Sequence, residues 1–169
     1  DLCVIDTNSS YPSLTFSRLN GLYASRGGSA LDLIDPCTCE VTELGSYGGF
    51  SGVNGITSDQ GVELFGVAST QDESISIDTQ SGLATTIGAL GFNWGTGGAT
   101  WSDELQALYA INGSTDFLYR INPQSGMATP LVPLTVNFGT VGIELHPLNN
   151  TIYACSNASL CSFRRCCYW

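Results

Sequence analysis

The sequence predicts an all-β chain built from about four similar units. Three ladders of recurring residues carry that prediction. Leu22-Tyr23-Ala24, Leu64-Phe65-Gly66, Leu108-Tyr109-Ala110 and Ile152-Tyr153-Ala154 follow one another at steps of 42, 44 and 44 residues. Ile34-Asp35-Pro36, Ile77-Asp78-Thr79 and Ile121-Asn122-Pro123 repeat at 43 and 44, and Asp59, Asp103 and Pro147 at 44. Independent landmarks that keep one period mark a repeat architecture rather than a bias of composition.

Within a period the strands follow from turn chemistry. In the second unit, Val53 to Thr57 precedes a Ser-Asp-Gln-Gly turn, and Leu64 to Ser69 follows it. Ser74 to Asp78 comes next, then an Asp-Thr-Gln-Ser-Gly turn, then Ala84 to Leu90. Asp or Asn at the start of such a turn bonds its own backbone, and Gly supplies positive φ. The segments between are short, β-branched and aromatic, and none shows a helical apolar stripe. The first unit places strands near 13–17, 21–26, 30–35 and 40–45; the units span about 13–45, 52–90, 97–134 and 140–164. The fourth supplies Thr140 to Glu144, Thr151 to Cys155 and Leu160 to Phe163, one strand short. Leu2 to Asp6 is the expected closing strand, which would leave no exposed edge in a four-unit ring. Val4-Ile5-Asp6-Thr7 also matches the third-strand motif Ile77-Asp78-Thr79, and on that match the chain is part of a larger array.

Four strands in 43–44 residues is the signature of a β-propeller blade. Through Leu108-Tyr109-Ala110-Ile111, Leu118-Tyr119-Arg120-Ile121 and the following Gln124-Ser125-Gly126-Met127-Ala128-Thr129, the chain resembles the broad group of WD-repeat-like, YVTN-like and quinoprotein-like β-propellers. The Gly-His and Trp-Asp dipeptides of true WD repeats are missing. The resemblance covers nearly the whole chain. It implies a propeller of about four four-stranded blades, and no activity.

Composition narrows the function. Fifteen acidic residues face five arginines and no lysine, for a formal net charge of −10, and charged residues make up only 12% of the chain. Such a surface repels phosphate backbones, so nucleic acid is excluded as a partner. The missing lysine removes Schiff-base chemistry and the lysine of a phosphate-binding loop. No apolar run reaches the roughly 18 residues of a membrane span. Met127 is the sole methionine, so Asp1 reads as a processed end or as part of a longer precursor.

The compartment is read from cysteines and sequons. Asn-x-Ser/Thr occurs at Asn8, Asn112, Asn149 and Asn157, and these are the expected N-glycan acceptors. Asn112 and Asn157 fall between second and third strands, where a solvent-facing rim is expected. Seven cysteines, Cys3, Cys37, Cys39, Cys155, Cys161, Cys166 and Cys167, do not match metal-ligand spacings and read as disulfide formers of an extracellular protein. Cys155 with Cys161, or Cys3 with Cys161, Cys166 or Cys167, would tie the fourth blade. Cys37 and Cys39 suggest a local bridge or a partner in the tail. Seven is odd, which leaves one thiol free or shared with another chain.

No catalytic, cofactor or metal site is expected. Asp35, Asp78 and Asn122 share one blade position and are turn caps; Asp59 and Asp103 are turn residues. Asp72, Glu73, Asp103, Glu104 and Asp116 lie in loops but match no calcium-loop spacing. His146 has no nucleophile or acid partner motif and reads as a loop residue. Phe50, Trp94 and Phe138 stand one per blade in the linkers, where packing is expected; sugar stacking is the functional alternative. Trp101 and Phe16 lie on inner strands, where core is expected. Residues 163–169 hold two arginines, two cysteines and a Trp and read as a docking segment.

The sequence therefore points to a secreted or cell-surface glycoprotein module with a structural or interaction role in a wall, matrix or filament. Its partners would be other copies or other extracellular proteins, with N-glycans attached. A glycan-binding propeller is the alternative, and an enzyme on the same scaffold is a distant third.

Overall fold

The computed structural model describes residues 8–17, 21–59, 61, 63–139, 141–146 and 148–156. Among them lie fourteen strands in four antiparallel sheets. The first sheet runs β1 (Ser13–Phe16), β2 (Leu22–Arg26), β3 (Ala30–Ile34), β4 (Val41–Ser46). The second is β5 (Val53–Ser58), β6 (Leu64–Ala68), β7 (Glu73–Ile77), β8 (Ala84–Ala89). The third is β9 (Ala99–Ser102), β10 (Ala107–Asn112), β11 (Phe117–Ile121), β12 (Ala128–Pro133). The fourth contains β13 (Val141–Leu145) and β14 (Ile152–Ser156). The expected strands at 2–6 and 160–163, with Cys3, Cys161, Cys166, Cys167 and Asn157, lie outside the described residues.

Strand order in every four-stranded sheet equals chain order, because each connection is a tight turn built from its own residues. The third-to-fourth turn is the same three times. Asp35 Oδ1 accepts the N–H of Cys37 at 2.7 Å and of Thr38 at 3.2 Å. Asp78 Oδ1 accepts the N–H of Gln80 at 3.1 Å and Ser81 at 2.7 Å, and Asn122 Oδ1 those of Gln124 and Ser125, both at 2.9 Å. Each turn ends in a left-handed residue: Gly82 (φ 74°), Gly126 (φ 73°) and, in the first blade, Cys39 (φ 66°). Cys39 thus occupies a seat that glycine fills elsewhere.

Each fourth strand carries one extra residue, Leu44, Ile87 or Leu131, at a β-bulge. Bulges twist an outer strand, and here they turn it onto the next sheet. Leu44 packs into the core between the first and second sheets, and Ile87 into the core between the second and third. A Cβ on Gly45 would overlap the Ser81 carbonyl, and one on Gly88 the Ser125 carbonyl, so each bulge lies on the backbone of the next blade's turn. The outermost strand β12 carries Pro130 and Pro133, which remove two ladder donors from an edge.

The core is interleaved between sheets. β6 and β10 are buried along their whole length. Phe65 and Val67 join Leu108, Ala110, Tyr119 and Ile121 on one side of the third sheet, while Tyr109, Ile111 and Leu118 join Phe138, Ile143 and Ala154 on the other. Alternation along a strand sends successive side chains to opposite faces, so these central strands are apolar throughout.

Side chains from one blade also hold the start of the next. Asp72 (φ 56°) and Asp116 (φ 54°) take left-handed conformations at the ends of second-to-third turns. Asp72 Oδ1 accepts Trp94 N–H at 2.6 Å, and Asp116 Oδ1 accepts Phe138 N–H at 2.8 Å. Their carbonyls accept the N–H of Leu90 and Leu134. These two carboxylates are blade-to-blade clamps. The equivalent residue in the first blade is Ser29, which keeps the carbonyl contact, to Tyr47 N–H at 3.0 Å, but carries no carboxylate.

Candidate functional site: the central cavity

The first strands of the four sheets, β1, β5, β9 and β13, lie side by side in order. Hydroxyls bridge them: Ser13 Oγ accepts Ile56 N–H at 3.0 Å, Thr15 Oγ1 accepts Ser58 N–H at 3.3 Å, and Thr100 Oγ1 accepts Leu145 N–H at 3.1 Å. Residues from all four strands line one cavity of 940 Å³. That lies within the range of small-ligand sites, roughly 300–1,000 Å³.

One part of its wall is aromatic and aliphatic. Trp101 stacks on Phe65, with ring centroids 5.3 Å apart and planes 10° from parallel. Its Nε1 donates to Asp103 Oδ1 at 2.9 Å, so ring orientation is fixed at face and edge. Phe16 also lines the cavity and is 61% exposed, and Leu14 is 53% exposed. The expectation that Phe16 belongs to the core is corrected: its inner strand turns it toward the central space.

The rest of the wall is polar: Asp59, Asp103, Glu104 and Glu144 stand among the hydroxyls of Thr15, Ser17, Thr57, Ser58 and Thr100, and among the described residues that line it there is no Lys, Arg or His. Asp59 also accepts Gly61 N–H at 2.7 Å, and Glu104 accepts from Asn150 Nδ2. Glu144 touches solvent, yet the surrounding protein removes enough water to raise its carboxyl above the ordinary value of 4.5. No three His, Cys, Asp or Glu among the described residues stand close enough to share a metal ion.

A second polar cluster is structural. Asp32, fully buried, accepts from Tyr11 Oη at 2.8 Å and Arg26 Nε at 3.1 Å, and Arg26 also reaches Glu43 at 3.2 Å. Desolvation pushes the phenol of buried Tyr47 up to about 12; the Ser25 hydroxyl opposes this and the Asp32 charge adds to it. Tyr47 Oη makes no hydrogen bond of good geometry among the described residues, and the Ser25 hydroxyl donates to Val53 O at 2.7 Å.

One candidate residue is placed differently from expectation, and one alternative reading is removed. Asn112, expected on a solvent-facing rim, closes β10 and is fully buried. Its Nδ2 donates to Asn93 O at 2.9 Å, while its Oδ1 accepts the N–H of Gly95 at 3.0 Å and Ser114 at 2.9 Å. A glycan needs that nitrogen free and in solvent, so Asn112 is not an acceptor in this fold. Asn8 and Asn149 are exposed. The three linker aromatics pack, as expected, and do not form the alternative sugar-stacking platform. Trp94 is 3% and Phe138 1% exposed, Trp94 packs on Tyr119 at 4.9 Å, and Phe50 packs against the core.

Cys37, Cys39 and Cys155 are free thiols, so no bridge joins Cys37 to Cys39. The ring nitrogen Nδ1 of His146 accepts Leu148 N–H at 3.2 Å, a turn-capping contact. The central cavity itself escaped the sequence reading. Its one linear signal is the placement of Phe16, Trp101, Asp59 and Asp103 at or just past the ends of first strands.

No family model matches the chain, and no curated protein does. Solved structures match its shape. A protein of unknown function from Bacteroides thetaiotaomicron superposes with a TM-score of 0.74 at 12% identity, covering 90% of this chain and 44% of its own. A nidogen/laminin complex gives 0.66 at 14%, covering 85% and 55%. An auxiliary nutrient binding protein from Bacteroides thetaiotaomicron gives 0.61 at 18%, covering 87% and 36%. The architecture is propeller-like. At these identities the likeness concerns fold alone, and the chain spans roughly half or less of the length of these structures.

Proposed function

We propose that this chain is an interaction module of a secreted or cell-surface glycoprotein, with a structural or adhesive role in an extracellular assembly. Its blades form a ring of four, closed by the strand at 2–6 beside the fourth blade. The observation that carries the interaction role is the central cavity: four sheets spend their first strands on building it, and its wall mixes open aromatic surface with carboxylates. The extracellular placement is supported by the sequons at exposed Asn8 and Asn149 and by seven cysteines in a chain without lysine. No helix among the described residues is long and apolar enough to cross a membrane.

The test is expression of the whole protein through a secretory pathway, followed by intact-mass measurement before and after enzymatic deglycosylation. The expected result is export with a glycan on Asn157, Asn8 or Asn149. Retention in the cell, or an unchanged mass, would remove the extracellular reading. Non-reducing peptide mapping tests ring closure: a bond from Cys3 to Cys161, Cys166 or Cys167 supports it, and Cys3 as a free thiol opposes it.

A further inference from the structure

We propose that Cys39 forms a disulfide with Cys3 and that this bond locks the seam where the ring closes, which rests on the ring of four with residues 2–6 as its closing strand. The internal seams show what meets there. After the bulge of the first blade, Gly45 lies on Ser81-Gly82 in the third-to-fourth turn of the second; after the bulge of the second blade, Gly88 lies on Ser125-Gly126 of the third. A Cβ on Gly82 would stand 2.7 Å from the Gly45 carbonyl oxygen, and one on Gly126 2.6 Å from that of Gly88. Each internal seam is thus a pair of glycines in backbone contact.

At the closing seam both positions are cysteines. On the receiving side, the first blade carries Cys39 where the others carry Gly82 and Gly126. On the arriving side, the position follows from spacing. Gly45 precedes the next first strand, at Val53, by 8 residues, and Gly88 precedes Ala99 by 11. Val132, their equivalent in the third blade, precedes Val141 by 9. Counting the same 8 to 11 residues back from Ser13 gives residues 2–5, and Cys3 is the one cysteine among them. Placing residues 4–7 as a third strand leaves no room for a fourth. From Ile34 to Val53 and from Ile77 to Ala99 the chain uses 19 and 22 residues, but from Ile5 to Ser13 only 8.

Side chains at paired seam positions meet at disulfide range. A Cβ on Gly88 lies 3.7 Å from the Cα of Gly126, and the Cβ atoms of a disulfide stand about 3.5–4.5 Å apart. The first blade's seat also has more space: Gly82 and Gly126 are buried, whereas Cys39 is half-buried. Left-handed backbone strains a residue with a Cβ, so Cys39 at φ 66° bears a cost that a bond to its neighbour offsets. Glutathione disulfide is the oxidant. The Cys3 thiolate displaces one glutathione thiolate from it, the Cys39 thiolate then attacks the Cys3 sulfur and expels the second, and the two cysteine protons leave on the two glutathione thiols.

The experiment is non-reducing peptide mapping of the whole protein, equilibrated with glutathione disulfide, together with melting temperatures. The Cys3 peptide should be linked to the peptide carrying Cys37 and Cys39; the link should persist in Cys37→Ser and vanish in Cys39→Ser. Cys3→Ser and Cys39→Ser should each lower the melting temperature by roughly 10 °C, the shift expected when a bridge closing a loop of 37 residues is lost from a chain of this size. The double variant should fall no further, because both changes remove one bond. Parent protein in reductant should melt with the variants. A link that survives Cys39→Ser, or losses that add in the double variant, overturns the proposal. Cys3 bonded to Cys161, Cys166 or Cys167 overturns it and leaves the ring closed, whereas Cys3 as a free thiol overturns the bond and opposes the ring as well.

Discussion

The carboxylate of Asp72 holds the backbone N–H of Trp94 at 2.6 Å, across the junction between the second and third sheets. Forty-four residues on, Asp116 does the same for Phe138 at 2.8 Å. In both, a left-handed Asp closes a turn of one blade and fixes the linker that inserts a buried aromatic beside the next.

Asp72→Ala and Asp116→Ala should each cost about 1–3 kcal/mol, the range for removing the acceptor of a partly buried, charge-assisted bond. Asp72→Asn should recover most of the loss, because Asn tolerates positive φ and keeps an acceptor oxygen. Urea unfolding midpoints measure both. An Asp72→Ala protein as stable as its parent would show that the linker is held by packing alone.

Peptide mass mapping of the secreted protein should find Asn112 unmodified. Asn112→Ala should lower stability by about 1–3 kcal/mol, since it removes the buried amide that bonds the N–H groups of Gly95 and Ser114 and the carbonyl of Asn93. A glycan on Asn112 in folded material would contradict the placement of β10.

Glycines at the bulges give a graded test. Gly45→Ala and Gly88→Ala push a methyl group into the next blade's turn and should cost about 1–3 kcal/mol each by overpacking. Gly27→Ala has open space around its Cβ and pays only for φ 57°, about 1 kcal/mol. Thermal unfolding of the three variants should rank them in that order; equal losses would mean that conformational strain, not blade contact, dominates.

Acid and base act on this fold in opposite senses. Glu144 is raised by desolvation, so the folded state binds its proton more tightly than the unfolded chain does. Its contribution is present below the ordinary value of 4.5 and is lost as pH rises through the raised one. Asp78 is lowered, first by the Ser81 hydroxyl and then by the N–H groups of Ser81 and Gln80; Asp35 is lowered by the N–H of Cys37 and Thr38. Their contribution is present above 3.8 and is lost as pH falls through the lowered values. Glu144→Gln should therefore raise the melting temperature at neutral pH more than at pH 4. Asp78→Asn, which mimics Asn122, should flatten the acid limb. A pH-independent effect of Glu144→Gln would refute the desolvation.

The turns and blades were legible because their causes are local. A side-chain oxygen on Asp35, Asp78 or Asn122 and a left-handed residue four positions on, glycine in the second and third blades and Cys39 in the first, specify a turn without help from the rest of the fold. Asn112 was misread for the opposite reason. A sequon is a linear pattern, whereas burial of its amide depends on a linker about eighteen residues away. Phe50, Trp94 and Phe138 have the same spacing whether they pack or protrude, so spacing could not choose between core and ligand platform. Phe16 reads as a core residue in a four-residue strand, and only the inward turn of β1 opens it to the cavity. Asp72 and Asp116 read as loop acids because a clamp is visible only when two blades meet.

Among the described residues every sheet is assembled from strands adjacent in the chain, and the second, for example, is complete between Val53 and Ala89. During synthesis, a ribosome therefore releases each blade as a finished set of hairpins before the next has emerged. The slow search for distant partners, which makes many all-β chains vulnerable to aggregation, is replaced by sequential docking of each new blade on the one before it. A nascent chain stalled so that residue 90 has just emerged, with the third blade still inside the exit tunnel, should already protect the amides of β6 from exchange.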